Sequence, residues 1–290
     1  MVDYTALKNG GFMRQKQKDN FSLRLKVVGG YVTAAQFAAI AEISEKYGDG
    51  HLHLTARQGV EIPFIKLQDV ETVKAELAKR GVNTGVCGPR VRTVTACQGA
   101  EICPSGCIDT YPLAVEISER YYGRELPHKF KFGVVGCMNN CLKAEENDVG
   151  IKGGFTVRWI REACTLCGVC VKACREGAIT QTDDAILMDE AKCNHCGRCA
   201  KACPFDAWAG EPGYLVSFGG TFGNLIAKGE QFLPIIRDKE TLFRVADAAL
   251  RFFERYGKPS ERFHIAIERA GFSVFQTEME AAYLGDVSGE

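Results

Sequence analysis

The sequence lacks both an excess of charge and a long apolar run, and each absence excludes a class of partner. Lys and Arg together number 36, as do Asp and Glu, so no global charge attracts nucleic acid or an anionic membrane. The most apolar early run, VVGGYVTAAQFAAIA, is short and interrupted, and the opening MVDYTALKNG has no basic segment followed by an apolar core. We therefore expect a cytoplasmic protein with no nucleic acid partner and no membrane insertion.

The first third of the chain alternates between strand and helix patterns. FSLRLKVV, HLHLTA and GVEIPFI have strand character, and the helix after the first of these begins with a capping box formed by Thr33 and Gln36. Phe37, Ile40, Ile43 and Tyr47 form the predicted apolar stripe of that helix. A second helix is predicted from Asp69 to Gly81, and the order β-α-β-β-α favours a ferredoxin-like α+β unit over residues 1–82.

Cysteine is abundant, with 14 residues in a 290-residue chain. Two runs, CTLCGVCVKAC and CNHCGRCAKACP, each place three thiols at i, i+3 and i+6 and a fourth after three more residues. In bacterial ferredoxins that fourth thiolate ligates the other cluster of a two-cluster unit. The spacing therefore predicts one [4Fe-4S] cluster on Cys164, Cys167, Cys170 and Cys203, and another on Cys193, Cys196, Cys199 and Cys174. A pair of zinc knuckles is the alternative, although zinc sites do not need this crosswise pattern.

These runs lie in a compact cysteine-dense stretch, residues 158–210, which we interpret as an inserted bacterial-type two-cluster ferredoxin domain. It would interrupt a third unit made of residues 83–157 and 211–290, in which YLVSFGG predicts a strand and LFRVADAALRFFERYG a helix. Arg175 follows Cys174 where the ferredoxin pattern usually has Pro, a departure that leaves the ligands intact.

Four further cysteines follow a different pattern, C-x5-C at Cys97 and Cys103 and C-x3-C at Cys137 and Cys141. This arrangement resembles the cluster site of siroheme-dependent sulfite and nitrite reductases, most closely the catalytic C subunit of anaerobic sulfite reductases or a small stand-alone relative. The resemblance covers nearly the whole chain. It implies a siroheme, a third [4Fe-4S] cluster on these four cysteines, and a bridge from Cys141 to the siroheme iron.

Basic residues extend the resemblance. In that family a basic residue in L-T-x-R-Q, an arginine before the first cluster cysteine and two lysines in K-F-K surround the substrate anion. The matching positions here are Arg57 in LTARQ, Arg92 in VRTVTAC, and Lys129 and Lys131 in HKFKFGVVGC. Strand alternation places both lysines on one face, with Phe130 and Phe132 on the other. Arg90 and Asn139 are candidates to bind the carboxylates of the siroheme.

Four cysteine-region residues depart from the family pattern or fit no ligand set. Met138 and Asn140 stand where family members often have Pro and Gly or Asp, although Asn tolerates the left-handed backbone conformation well. Cys87 and Cys107 are interpreted as small buried hydrophobic residues. A rival ligand set that uses Cys107 stays open, because C-x3-C also describes Cys103 and Cys107.

The resemblance implies six-electron reduction of sulfite to sulfide, with nitrite as the alternative substrate. Guanidinium groups would hold the oxyanion and lysines would donate protons. No Gly-rich dinucleotide fingerprint is visible, so electrons are expected from reduced ferredoxin or from flavin or iron-sulfur partner subunits. Many siroheme enzymes contain two copies of this unit, so a homo-oligomer or a complex with a homologous subunit is expected. Two alternatives remain: a non-catalytic electron-transfer subunit, and a siroheme protein acting on another small oxidised substrate.

Overall fold

A computed structural model describes residues 2–286 of the chain. None of the helices in that range is both long enough and apolar enough to cross a bilayer. Its buried apolar side chains form three clusters, drawn from residues 12–82, 91–282 and 170–208.

The first unit contains α1 (Tyr4–Asn9), β1 (Phe12–Arg14), β2 (Asn20–Arg24), α2 (Ala34–Tyr47), β3 (His53–Leu54), β4 (Val60–Lys66) and α3 (Val70–Lys79). Its strands form an antiparallel sheet in the order β1-β2-β4-β3, to which the first cluster belongs. Every second side chain of β2 is buried, which is the alternation expected for a strand with one face on a core. The capping box of α2 is confirmed, with both hydrogen bonds between Thr33 and Gln36 present.

The predicted apolar stripe of α2 is wrong at Phe37. Ile40 and Ile43 are buried, whereas the Phe37 side chain is 45% exposed. Phe37 lies in the first turn of α2, and the buried part of the helix begins at Ala39. The sheet therefore covers only the later turns of α2.

The second cluster surrounds a mixed sheet of β5 (Thr95–Ala96), β6 (Phe132–Val135), β7 (Val149–Phe155) and β12 (Pro212–Phe218), in the order β12-β7-β6-β5. Strands β5 and β6 are parallel, as are β6 and β7, so their carboxyl ends point the same way. The helices between β5 and β6 are α4 (Gly99–Ile102) and α5 (Thr110–Tyr121).

The cysteine-dense stretch leaves this sheet at the end of β7 and rejoins it at the start of β12. The short elements in between are β8 (Arg158–Trp159), α6 (Val169–Ala173), β9 (Ile179–Gln181), β10 (Ile186–Met188), α7 (Arg198–Ala202) and β11 (Trp208–Ala209). The antiparallel pair of β8 and β11 continues the pairing of β7 with the returning strand, in which Phe155 faces Pro212. The whole stretch therefore occupies the position of a hairpin loop.

The returning strand β12 (Pro212–Phe218) leads into three helices, α8 (Lys239–Tyr256), α9 (Phe263–Ala270) and α10 (Phe272–Leu284). Their aromatic side chains pack edge to face, for example Phe252 on Phe275 at 4.9 Å between ring centroids. Phe130, buried before β6, contacts Phe263 of this layer at 5.0 Å between centroids. The helices thus close one face of the sheet and hold the segment that carries Lys129 and Lys131.

Candidate active site

Two cavities lie at opposite ends of the parallel strands β5 and β6. Ahead of the strands, a cavity of about 350 Å³ is lined by basic side chains; we call it the basic cavity, and its cations are those of Arg24, Arg57, Arg92, Lys129 and Lys131. Beyond the carboxyl ends, a cavity of about 560 Å³ is lined by four thiols; we call it the cysteine cavity, and its thiols are those of Cys97, Cys103, Cys137 and Cys141. The structure therefore brings the four predicted basic residues together and, separately, the four predicted upstream cysteines.

The LTARQ loop contributes a residue to each cavity. Arg57 lines the basic cavity and its neighbour Gln58 lines the cysteine cavity. Gln58 has a left-handed backbone, with φ of 58°. Its side-chain amide donates to the Ala96 carbonyl at 2.8 Å, and its side-chain oxygen accepts from the Ala96 amide at 2.9 Å. This two-way bond joins the first sheet to β5, and the sequence interpretation missed it.

Arg57 is fixed by two hydrogen bonds. It donates to Asn147 Oδ1 at 2.7 Å and to the Thr93 carbonyl at 3.1 Å. Its pKa is lowered to about 10, chiefly by burial; Asp148 opposes this shift, and the nearby Arg92 and Arg262 guanidinium groups act in the same direction as burial. A pKa near 10 leaves the guanidinium charged at neutral pH, so Arg57 keeps a full positive charge in a partly desolvated position.

Arg92 is held by the segment that precedes it. Its two terminal nitrogens donate to the carbonyls of Val86, at 3.2 Å, and Gly88, at 2.9 Å. Its Nε is buried with no hydrogen-bond partner among the described residues. An unpaired buried donor costs free energy, so Arg92 retains binding capacity for an anion.

Lys131 carries the largest lysine pKa shift in the site. Burial lowers its pKa to about 8, and the positive charges of Arg57 and Arg262 act in the same direction. The Lys129 pKa is also lowered, by burial and then by Arg262 and Arg92. Phe130 and Phe132 are fully buried on the opposite side, which confirms the predicted alternation of this segment. The two lysines therefore share one cavity, and Lys131 is poised to exchange a proton near neutral pH.

Asp148 and Arg262 form a buried support under Lys131. The Lys131 amide donates to Asp148 Oδ2 at 2.9 Å, and Arg262 contacts both carboxylate oxygens at 3.0 and 3.2 Å. Burial raises the pKa of the Asp148 carboxyl, and Arg262 opposes that shift. Neither residue belongs to a recognisable motif, so no sequence signal marks them.

The cysteine cavity is built from turns that aim backbone amides at sulfur. The Gly136 amide donates to Cys97 Sγ at 3.0 Å. Asn140, between Cys137 and Cys141, has a left-handed backbone, with φ of 52°, a conformation that Asn tolerates well. Its side-chain oxygen accepts from the Ala144 amide at 2.8 Å, and its amide nitrogen donates to Glu145. The Cys141 side of the loop is exposed to solvent, whereas the other three cysteines are half-buried.

A nearly buried ion pair anchors that loop. Lys152 on β7 contacts Glu145 Oε1 at 2.5 Å, with side-chain exposures of 8% and 13%. The Lys152 hydrogen bond lowers the pKa of Glu145, against the effect of burial, so the carboxylate stays ionised. The sheet thereby holds Asn140 through Glu145.

Arg90 and Asn139 lie in different surroundings. Arg90 pairs with Glu125 at 2.5 Å and is absent from the described linings of both cavities. Asn139 lines the cysteine cavity, and its side-chain oxygen accepts from Arg198 at 3.0 Å. Their roles toward a cofactor stay predictions.

Cys87 and Cys107 lie outside the described lining of the cysteine cavity. Cys87 is buried and accepts a hydrogen bond from Arg24 at 3.3 Å, which places it behind the basic cavity. Cys107 is half-buried, with its sulfur 4.0 Å from the Cys196 carbonyl oxygen.

The eight downstream cysteines lie in two loops of matching conformation. In each loop the residue before the second cysteine and the glycine after it are left-handed: Leu166 and Gly168 in one, His195 and Gly197 in the other. After the fourth cysteine of each run, an amide donates back to its sulfur, from Ala178 to Cys174 at 3.3 Å and from Ala207 to Cys203 at 3.4 Å. Arg175 therefore does not alter this turn relative to the Pro-containing one. No group of three or more His, Cys, Asp or Glu side chains in residues 2–286 converges closely enough to hold a single metal ion.

Residues 87–286 match the family described as the nitrite and sulphite reductase 4Fe-4S domain, and residues 13–80 match the nitrite/sulfite reductase ferredoxin-like half domain. The chain therefore belongs to the nitrite and sulfite reductase family of oxidoreductases.

Among its curated relatives, an uncharacterized protein of Methanocaldococcus jannaschii is 35% identical over 87% of this chain and 88% of its own length. The coenzyme F420-dependent sulfite reductase of the same organism is 32% identical over 87% of this chain, and the matched region is 41% of that protein's length. The C subunit of the anaerobic sulfite reductase of Salmonella typhimurium is 33% identical over 71% of this chain and 66% of its own length.

The fold agrees with that of solved family structures. Dissimilatory sulfite reductase I superposes with a TM-score of 0.74 at 20% identity, covering 90% of this chain and 69% of the other. The NirA protein of Mycobacterium tuberculosis gives a TM-score of 0.69 at 19% identity, covering 98% of this chain and 48% of the other. At these identities the likeness describes the fold.

Proposed function

We propose that this chain is the catalytic unit of a siroheme-dependent sulfite reductase, which reduces sulfite to sulfide with six electrons and seven protons. One observation carries the proposal: a cavity lined by cations and a cavity lined by four thiols lie at opposite ends of the same two parallel strands. Cations suit a substrate that is an oxyanion and consumes protons, and thiolates suit an iron-sulfur cluster.

The residues of the cysteine cavity fit a [4Fe-4S] cluster coupled to siroheme. Cys97, Cys103, Cys137 and Cys141 surround one space, and the amide directed at Cys97 is the kind of hydrogen bond that tunes cluster potential. The exposed Cys141 would hold both the cluster and the siroheme iron. When bound, the pair supplies electrons and an iron site for the sulfur atom.

The side chains of the basic cavity would bind the anion and deliver protons. Arg57 and Arg92 hold the oxyanion oxygens, because their guanidinium groups stay charged and are fixed by carbonyl acceptors. Lys131 donates protons, because its pKa of about 8 allows loss and regain of a proton near neutral pH. Lys129 adds charge beside it.

The stretch 158–210 would carry two more [4Fe-4S] clusters, on Cys164, Cys167, Cys170 and Cys203 and on Cys193, Cys196, Cys199 and Cys174. Support comes from the matched left-handed turns and the paired amide-to-sulfur hydrogen bonds. These clusters would deliver electrons to the cysteine cavity. The domain limits proposed are 1–82, 83–157 with 211–290, and 158–210.

Partners follow from the proposed electron demand. The named sulfite reductase relatives are longer than this chain, and one of them is a subunit. We propose that reduced ferredoxin, or a flavin or iron-sulfur subunit, supplies electrons. The siroheme site would be completed by a second copy of this chain or by a homologous subunit.

The test is anaerobic purification followed by iron analysis, visible absorption and assays with reduced viologen. The expected result is about thirteen irons per chain, twelve in the three clusters and one in the siroheme, together with the Soret and red-region bands of siroheme and sulfide formation from sulfite. Faster turnover of nitrite would reassign the substrate. A preparation with iron but no tetrapyrrole would leave a non-catalytic electron-transfer subunit and overturn the proposal.

A further inference from the structure

We propose that the two ferredoxin-type sites act in a fixed order, an inference that rests on the proposed function. The inner site, on Cys174, Cys193, Cys196 and Cys199, passes electrons to the cysteine cavity. The outer site, on Cys164, Cys167, Cys170 and Cys203, accepts them from the donor. Lys201 and Arg198 are positioning residues that hold the inner site against the cysteine cavity.

The two sites are alike in local structure, so the order must come from their surroundings. Helix α6 follows a left-handed Gly168, and α7 follows a left-handed Gly197. The helix sequences VCVKA and RCAKA place a lysine at the same position, Lys172 in α6 and Lys201 in α7. These two lysines form a matched internal pair.

Only one of the two lysines is bonded to the body of the protein in the described structure. Lys201 Nζ donates to the Gly106 carbonyl at 2.8 Å and to the Pro104 carbonyl at 3.3 Å, both in the segment after Cys103. Lys172 is exposed and has no side-chain hydrogen bond in residues 2–286. Lys201 therefore joins the inner site to one edge of the cysteine cavity.

The first residues of the two helices differ as the two lysines do: among the described residues, the one in α7 is bonded to the body of the protein and the one in α6 is not. Arg198 donates to Asn139 Oδ1 at 3.0 Å, and Asn139 lies between Cys137 and Cys141. The equivalent residue in α6 is Val169, which is 36% exposed. A direct hydrogen bond thus links the loop of the inner site to the loop of the cysteine cavity.

Backbone contacts add to this junction. The Phe155 amide donates to the His195 carbonyl at 2.7 Å, and Phe155 forms a bridge with Cys196. The Cys196 carbonyl also lies 4.0 Å from the Cys107 sulfur. Cys196 is half-buried at this contact, whereas its counterpart Cys167 is exposed.

The chemistry at each site is the transfer of one electron, so burial and proximity decide the order. A one-electron donor is oxidised as the outer site is reduced, the outer site is then reoxidised by the inner site, and the inner site by the cysteine cavity. No bond is formed or broken in these steps. An outer site with one exposed ligand, Cys167, suits collision with a donor protein, and a docked inner site shortens the last transfer.

The test compares Lys201→Ala with Lys172→Ala in the holoenzyme, with a reduced two-cluster ferredoxin as donor in rapid-mixing experiments. Siroheme absorption reports the arrival of electrons at the cysteine cavity, and the broad iron-sulfur absorption reports the first electron transfer, from the donor to the outer site. Lys201→Ala and Arg198→Ala should slow arrival about fivefold, equivalent to about 1 kcal/mol of lost contact. Lys172→Ala should leave unchanged the rate at which electrons reach the cysteine cavity after the first transfer. Equal effects of the two lysine variants, or no effect of Lys201→Ala, would overturn the order.

A second measurement does not depend on the donor. Cys196→Ser and Cys167→Ser each change the paramagnetic resonance spectrum of one reduced cluster, which assigns that cluster. The inner cluster, assigned by Cys196→Ser, should relax faster because it lies nearer the paramagnetic siroheme centre. Faster relaxation of the cluster assigned by Cys167→Ser would contradict the proposal. A protein without siroheme absorption would instead refute the proposed function, so the two failures are distinct.

Discussion

Anion affinity should fall as the pH rises through 8, because Lys131 loses its positive charge there. Its pKa is lowered to about 8, first by burial and then by Arg57 and Arg262. About nine-tenths of the Lys131 side chains are charged at pH 7 and about one-tenth at pH 9. If binding requires the charged form, affinity should drop about tenfold over this interval, and the fall should begin well below the pKa of an ordinary lysine.

The lowered pKa of Lys131 also predicts that the protein takes up protons when an anion binds. A bound anion favours the charged lysine and raises its pKa, so binding at pH 8 should take up a fraction of a proton. Nitrite is the suitable probe, because it keeps a single negative charge over this range whereas sulfite titrates near neutrality. Calorimetric titration in buffers of different ionisation enthalpy gives both the affinity and the proton uptake.

Lys131→Arg is the matched control, since a guanidinium stays charged throughout this pH range. It should bind nitrite with little change between pH 7 and pH 9. Lys131→Met should bind nitrite no more tightly at any pH in the interval than the wild type does at pH 9. A flat wild-type profile, or a tenfold fall that persists in Lys131→Arg, would refute the assignment of the titrating group.

Three further outcomes follow from the contacts around the cavities. Lys152→Met should destabilise the fold by about 3–5 kcal/mol, because Glu145 keeps a buried charge, and adding Glu145→Gln should restore part of the loss in thermal melting. Asn140→Ala should lose more iron on gel filtration than Asn140→Gly, because both variants lack the side-chain hydrogen bonds but only alanine is strained in the left-handed backbone conformation. Equal losses of iron would show that the backbone conformation is unimportant. Gln58→Ala should weaken nitrite binding several-fold by freeing the loop of Arg57 from β5, whereas unchanged affinity would show that Arg57 is held by its own bonds alone.

Features set by neighbouring residues could be predicted from the sequence. The capping box needs only Thr33 and Gln36 three positions apart, and the structure contains both of its bonds. The shared cavity of Lys129 and Lys131 follows from strand alternation, and the left-handed backbone observed at Asn140 is one that Asn tolerates. Cysteine spacing likewise separated the upstream set from the two ferredoxin-type runs.

Features that depend on distant chain segments could not be predicted. Arg262 reaches Asp148 from the start of α9, and Arg24 enters the basic cavity from β2, so no local pattern marks either residue. The exposure of Phe37 depends on where the sheet ends beneath α2, which periodicity does not report. The helix α1 and strand β1 were missed because both are short.

The most direct test of the central claim is acid-acetone extraction of anaerobically purified, iron-replete protein, with Cys141→Ala beside the wild type. The wild type should release about one siroheme per chain and Cys141→Ala markedly less, while the iron bound by residues 158–210 is unchanged. A wild-type protein with full iron content and no extractable tetrapyrrole would show that these cysteines do not hold a siroheme-coupled cluster.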